Sequence, residues 1–127
     1  SSGSGALEYV YDAEPVETVE MSSENLSAVL AGMHDLATDG AVSQYFKNCI
    51  VDAAAKTGTI QTGDTKNNNG AFVCFAPYDD PQIAVAIVIE KGGSGAALAS
   101  TAVQVLNAYF SNTSASSAIT GENTLLG

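Results

Sequence analysis

The chain has 127 residues, enough for one domain with a modest core. Hydrophobic residues make up 46% of it, which excludes wholesale disorder. Four cationic side chains against 14 acidic ones give a net charge of −10, which excludes the clustered cations that nucleic acid or anionic lipid would require.

Ser1-Ser2-Gly3-Ser4-Gly5 reads as a flexible linker or a cloning scar. No charged-then-apolar leader opens the chain, and its longest apolar run, Ile83 to Ile89, is too short to span a bilayer. Leu7 to Val19 is rich in Val, Tyr and Glu with Pro15 in its middle, and is expected as an extended arm or edge hairpin. Met21 to Ala37 is predicted helical. Ser22 or Ser23 can cap it, and Leu26, Val29, Leu30, Met33 and Leu36 form its core-facing stripe. Gly40 can stop it. Asn48 to Asp52 is expected as the connection onward.

Three strands are then predicted: Ala54 to Thr62, Ala71 to Ala76 and Ile83 to Ile89. Gly63 to Gly70 and Pro77 to Pro81 are rich in Gly, Asn, Asp and Pro and make the turns. Short turns imply an antiparallel meander. The near-continuous apolar character of Ile83 to Ile89 suggests cover on both faces. Ser94 can cap a last helix whose buried face is Leu98, Ala102, Val105, Leu106, Tyr109 and Phe110. Residues 111–127 are Ser/Thr/Gly-rich and expected as a flexible tail, leaving 6–110 as the folded part.

The chemistry concentrates at Lys56-Thr57-Gly58-Thr59. This run follows Ala53-Ala54-Ala55 and leads into Ile60-Gln61-Thr62-Gly63. Lys-Thr-Gly is one of three motifs that together mark penicillin-binding proteins and serine β-lactamases. Here it is followed by Phe72-Val73-Cys74-Phe75-Ala76-Pro77, by Ile83 to Glu90, and by Gly92-Gly93-Ser94-Gly95 opening a helix that ends Asn107-Ala108-Tyr109-Phe110. In this order the segments resemble the C-terminal part of a class B (monofunctional) penicillin-binding protein transpeptidase domain, over roughly Leu7 to Phe110. Ala41 to Phe46 resembles that family's short helix before the Lys-Thr-Gly strand, and Gly40-Ala41-Val42 stands where the family often has Gly-Thr-Ala. Ala55 replaces a usual glycine before the lysine, Cys74 a usual strand glycine, and Ser100 a frequent proline.

The resemblance implies an α+β fold of the β-lactamase/transpeptidase type. It implies D,D-transpeptidation, in which a serine attacks the penultimate D-alanyl carbonyl of a peptidoglycan stem peptide and β-lactams are acylating mimics. It implies no metal and no cofactor, and a parent protein on the extracytoplasmic face of the bacterial membrane. Lys56 would face the substrate carboxylate, Thr57 and Thr59 would donate hydroxyl hydrogen bonds to it, and Gly58 would allow close approach. The Thr59 N–H would be one half of the oxyanion hole.

The family's Ser-x-x-Lys nucleophile motif is missing. Gln44, Ala53, Gly63 and Val88 stand three residues before the four lysines. Ser23-Glu24-Asn25 matches Ser-x-Asn but sits at a predicted helix start, where both residues are ordinary caps. The chain is therefore expected to be a fragment that is inactive alone, partnered by the N-terminal part of the domain and prone to form a homo-oligomer or domain swap. Fragments of a β-lactam sensor domain or of a serine β-lactamase are the competing readings.

Other polar residues read as structural. His34 is expected at the surface, Asp79-Asp80 in a turn, and Glu90 at a strand end. Cys49 and Cys74 do not form a metal-ligand spacing, and a disulfide between them is not expected.

Overall fold

In the computed structural model, residues 14–61, 63 and 68–123 are described. The expected linker, 1–5, and most of the expected N-terminal arm lie outside them. Within 14–22 no strand or helix forms, and Val16 and Val19 are exposed.

The architecture is α+β. Strands β1 (Ala54–Ile60), β2 (Asn69–Ala76) and β3 (Ile83–Ile89) form one antiparallel sheet in the order β1-β2-β3. Lys56 lies opposite Val73, Gly58 opposite Ala71 and Thr59 opposite Gly70. Phe72 lies opposite Ile87 and Cys74 opposite Val85. Because side chains alternate along a strand, this register puts Ala55, Phe72, Cys74, Ala76, Ile83, Val85 and Ile87 on one face.

That face is the core. A 3₁₀ turn, Gly95–Leu98, leads into helix α3 (Ala99–Asn123), and Leu98, Ala99, Ala102 and Leu106 bury themselves against it. Ser94 caps the turn, its Oγ accepting from the Ala96 N–H at 3.2 Å. Helix α2 (Ser43–Phe46) leans on α3, and Phe46 stacks with Phe72 at 6.4 Å between ring centroids.

Helix α1 (Ser23–Thr38) packs against β1. Ser22 is its cap, accepting from the Asn25 N–H at 3.2 Å, so Ser23-Glu24-Asn25 is a helical first turn. The N–H groups of Asp39 and Gly40 both donate to the Asp35 carbonyl, which ends the helix. Gly40 acts there through close approach: a Cβ would stand 2.7 Å from Leu36 Cα.

Four expectations are corrected by the fold. The α1 stripe is only partly core: Leu30, Met33 and Leu36 are half-buried, but Leu26 and Val29 are exposed on its N-terminal half. β2 begins at Asn69, because the Asn69 Oδ1 accepts from the Lys91 N–H at 2.9 Å and holds that end of the strand beside the loop after β3. β3 is not covered on both faces: Ala84, Ala86 and Val88 are exposed, and its outer edge is open among the described residues. The segment expected as a flexible tail continues α3 to Asn123. Thr113 and Ser114 turn their hydroxyls onto the Tyr109 and Phe110 carbonyls, so their side chains do not compete with helix formation.

Phe72 is the largest fully buried side chain and joins β2 to both α2 and α3. Phe72→Ala is expected to cost about 3–5 kcal/mol. Urea denaturation monitored by circular dichroism measures it, and a loss under about 1 kcal/mol would displace Phe72 from the centre of the core.

Candidate functional site

The Lys56-Thr57-Gly58-Thr59 run lies wholly within β1, and β1 is an edge strand. Its inner side pairs with β2, and no described residue pairs with its outer side. An extended peptide can therefore add to this edge through main-chain hydrogen bonds. Alternation puts Lys56 and Gly58 on one face of the strand and Thr57 and Thr59 on the other, so a ligand lying along the edge is flanked from both sides. Lys56 is exposed, and its Nζ donates to the Thr57 carbonyl at 2.7 Å. Thr59 is exposed and Thr57 half-buried.

Gly58 is not dictated by internal packing. A Cβ there would meet Ala71 Cβ at 3.4 Å, an ordinary contact. What its bare Cα leaves is room for another molecule to come close.

The head of β1 is braced by contacts that the sequence pattern does not show. His34 Nε2 sits 2.9 Å from both carboxylate oxygens of Asp52, and the imidazole stacks on Tyr78 at 4.2 Å. The Tyr78 N–H in turn donates to the Asp52 carbonyl at 3.0 Å. His34 is thus not the isolated surface side chain the helix pattern suggests. It ties α1 to the strand entry and to the β2–β3 turn, partners 18 and 44 positions away in sequence. Asn107 does the same for α3, accepting from the Ile50 N–H and donating to the Asn48 carbonyl, each at 2.9 Å. Periodicity reports which face a residue occupies but not which distant groups it meets.

The remaining candidates stay apart. Asp79 and Asp80 are exposed in the β2–β3 turn, and Glu90 is exposed just beyond β3. Among the described residues no group of three or more His, Cys, Asp or Glu could hold a metal ion, and no helix is long and apolar enough to cross a membrane. A shallow groove of about 210 Å³ lies between α1 and the sheet, lined by Met33, Val73, Phe75, Ala84 and Ala86.

Comparison with known families decides the assignment. Residues 6–110 match the model of the penicillin binding protein transpeptidase domain. The chain belongs to that family. Its relatives place it with the class B members. It is 33% identical over 92 residues to the peptidoglycan D,D-transpeptidase MrdA of Escherichia coli, covering 60% of this chain and 14% of the relative. It is 32% identical over 96 residues to penicillin-binding protein 2A of Bacillus subtilis, covering 68% of this chain and 13% of the relative. Among solved structures, Pseudomonas aeruginosa PBP2 in complex with WCK 5153 superposes with a TM-score of 0.64 at 30% identity, over 79% of this chain and 23% of that one. Helicobacter pylori PBP2 gives 0.63 at 26%, over 72% and 18%. The chain therefore spans about a seventh of the curated relatives' length.

Within this transpeptidase domain segment the two cysteines are free. Cys74 is buried under the helices, and that burial pushes its thiol up to about 11 from 9.0, with the Cys49 thiol adding to the rise. Cys49 is raised too, chiefly by burial and, less, by the Asp52 charge. The folded chain thus holds the Cys74 proton where the unfolded chain has released it. The resulting stability is fully present below pH 9.0 and is lost as pH rises toward about 11. Urea midpoints are expected to fall across that window and to fall less in Cys74→Ala. Parallel curves for the two proteins would show that the thiol carries no such linkage.

Proposed function

We propose that this chain carries the carboxylate-recognition strand of a peptidoglycan D,D-transpeptidase. The observation that supports it most is the placing of Lys56-Thr57-Gly58-Thr59 along the open edge of β1. The reaction is acyl transfer. A serine oxygen attacks the penultimate D-alanyl carbonyl, D-alanine leaves with a proton on its nitrogen, and an amine of a second stem peptide takes the acyl group and frees the serine.

In this reading the substrate's terminal carboxylate lies beside the β1 edge. Lys56 supplies the positive charge, and Thr57 and Thr59 donate hydroxyl hydrogen bonds. The bare Cα of Gly58 lets the substrate main chain come close enough to pair with the strand. The Thr59 N–H points at the oxygen that becomes negative during attack and is one of its donors. β-Lactams carry a carboxylate in the corresponding place and occupy the same edge.

The nucleophile comes from outside these 127 residues, since no serine precedes a lysine at the family spacing. The N-terminal part of the transpeptidase domain supplies it. That part docks where this chain leaves apolar surface uncovered: Leu26 and Val29 on α1, and the outer edge of β3 with Val88. The assembled enzyme works on the extracytoplasmic side of the membrane, where peptidoglycan is built. The MrdA relatives are peptidoglycan D,D-transpeptidases rather than hydrolases or sensors, which favours this reading over the others.

The chain by itself is expected to give no covalent band with a fluorescent penicillin on denaturing electrophoresis. A stable band would place a nucleophile inside it. The open β3 edge is expected to make the isolated chain self-associate, and light scattering that stays monomeric across a concentration series would contradict this. In the complete transpeptidase, Lys56→Ala removes a charge-assisted hydrogen bond worth about 1.5–3 kcal/mol, so second-order acylation should slow roughly ten- to a hundredfold. His34→Ala should leave that rate nearly unchanged, because His34 braces the strand head and does not face the edge. Equal rates for Lys56→Ala and the unaltered enzyme would reduce the motif to a plain strand.

A further inference from the structure

The chain has two glycines whose demands are opposite. Gly58 has room for a side chain and Gly95 has none. A Cβ on Gly95 would overlap the Ala71 carbonyl oxygen and stand 2.7 Å from the Gly58 carbonyl oxygen. Both of those oxygens are backbone atoms of the sheet and cannot swing aside as a flexible side chain would. Gly95 does not have a positive φ, so its requirement is purely one of space. On the sheet side the same contact is repeated: a Cβ on Gly70 would meet the Gly95 nitrogen and the Ser94 carbonyl carbon, each at 3.2 Å. The start of the 3₁₀ turn is therefore pressed backbone to backbone onto β1 and β2, at the Gly58–Ala71 and Thr59–Gly70 pairs.

We infer that Gly95 is a positioning residue for the Gly58–Thr59 peptide unit, and through it for the Thr59 N–H. The Gly58 carbonyl and the Thr59 N–H belong to one planar group and point in opposite directions. Pressure on the carbonyl oxygen tilts the whole plane. With glycine at position 95 the turn seats without that pressure, and the N–H is held where the edge needs it. The seat is fixed from behind as well. Ser94 caps the turn, and the Gly93 N–H donates to the Asn68 carbonyl at 3.0 Å, so the loop cannot simply back away from an added methyl group. The inference rests on the reading of Thr59 as an oxyanion donor.

Two measurements test it. In this chain, two-dimensional NMR of Gly95→Ala should show the Gly58 and Thr59 amide resonances displaced. Gly32→Ala, on an exposed face of α1 with open space at its Cα, should leave them in place. Unmoved Gly58 and Thr59 resonances in folded Gly95→Ala would overturn the inference. If Gly95→Ala does not fold, Gly70→Ala applies a milder push, needing only a few tenths of an ångström from Gly95, and should displace the same two amides; unmoved amides there would overturn it equally.

In the complete transpeptidase, penicillin binding and the acylation step are then separated by stopped-flow kinetics. Either variant should slow acylation on the order of tenfold to a hundredfold, because the defect is one of misplacement, while the dissociation constant of the pre-acylation complex stays within about threefold. Loss confined to binding, or no loss, would overturn the positioning role. Lys56→Ala run beside it keeps the two claims apart. If Lys56→Ala is slow and the glycine variant is not, only this inference fails. If Lys56→Ala is also unaffected, the transpeptidase reading of the edge fails.

Discussion

Among the described residues β1 is hydrogen-bonded along one edge only, and the rest of the structure is arranged around that fact. An unpaired strand edge offers a row of main-chain groups to any extended partner, which is a hazard unless the edge has a use. Here the free edge carries Lys56, Thr57 and Thr59, the cation and hydroxyls that the proposed reading assigns to a peptide carboxylate. A strand held on one side must be kept straight by other means. The register with β2 supplies the first, and the layers on its two faces supply the second.

Those layers work through small residues and backbone contacts rather than through large side chains. Ala53, Ala54 and Ala55 are all buried where β1 begins, which lets α1 and the core come close to the strand from opposite sides. The His34–Asp52 contact and the Tyr78 stack anchor the entry, and the glycine-to-carbonyl seat of the 3₁₀ turn anchors the exit. In the proposed reading, a strand held at both ends with an open edge suits a recognition element that keeps its shape when a ligand arrives.

Much of this was legible in the sequence, for identifiable reasons. Short apolar runs and Gly/Asn/Asp/Pro punctuation located the meander, and β3 runs from Ile83 to Ile89 as read. The Ser22-Ser23 pair announced the start of α1, because capping hydroxyls commonly precede an apolar periodic run, and the structure selects Ser22. What failed was whatever depended on non-local cover. Leu26 and Val29 have core spacing but no core above them in this chain, and β3 has the composition of a two-sided strand while only one face is packed. Residues 111–123 read as a tail because Ser and Thr favour turns in isolation, yet Thr113 and Ser114 satisfy their hydroxyls within the helix. The motif at Lys56 was visible from sequence; its place on an unpaired edge, and the roles of His34, Asn107 and Gly95, required the tertiary arrangement.

In the proposed reading the uncovered apolar surface and the open edge of β1 share one explanation. The chain spans about a seventh of its curated relatives, and a site assembled from separated motifs would leave each part with faces that meet the others. The most direct test is a crystal structure of the complete enzyme acylated by a penicillin. The account predicts the β-lactam lying antiparallel along β1, its carboxylate within hydrogen-bond distance of the Thr57 and Thr59 hydroxyls with Lys56 beside it, and its acyl oxygen on the Thr59 N–H. An acyl group whose carboxylate is held by other residues, with the β1 edge empty or paired to protein, would contradict it.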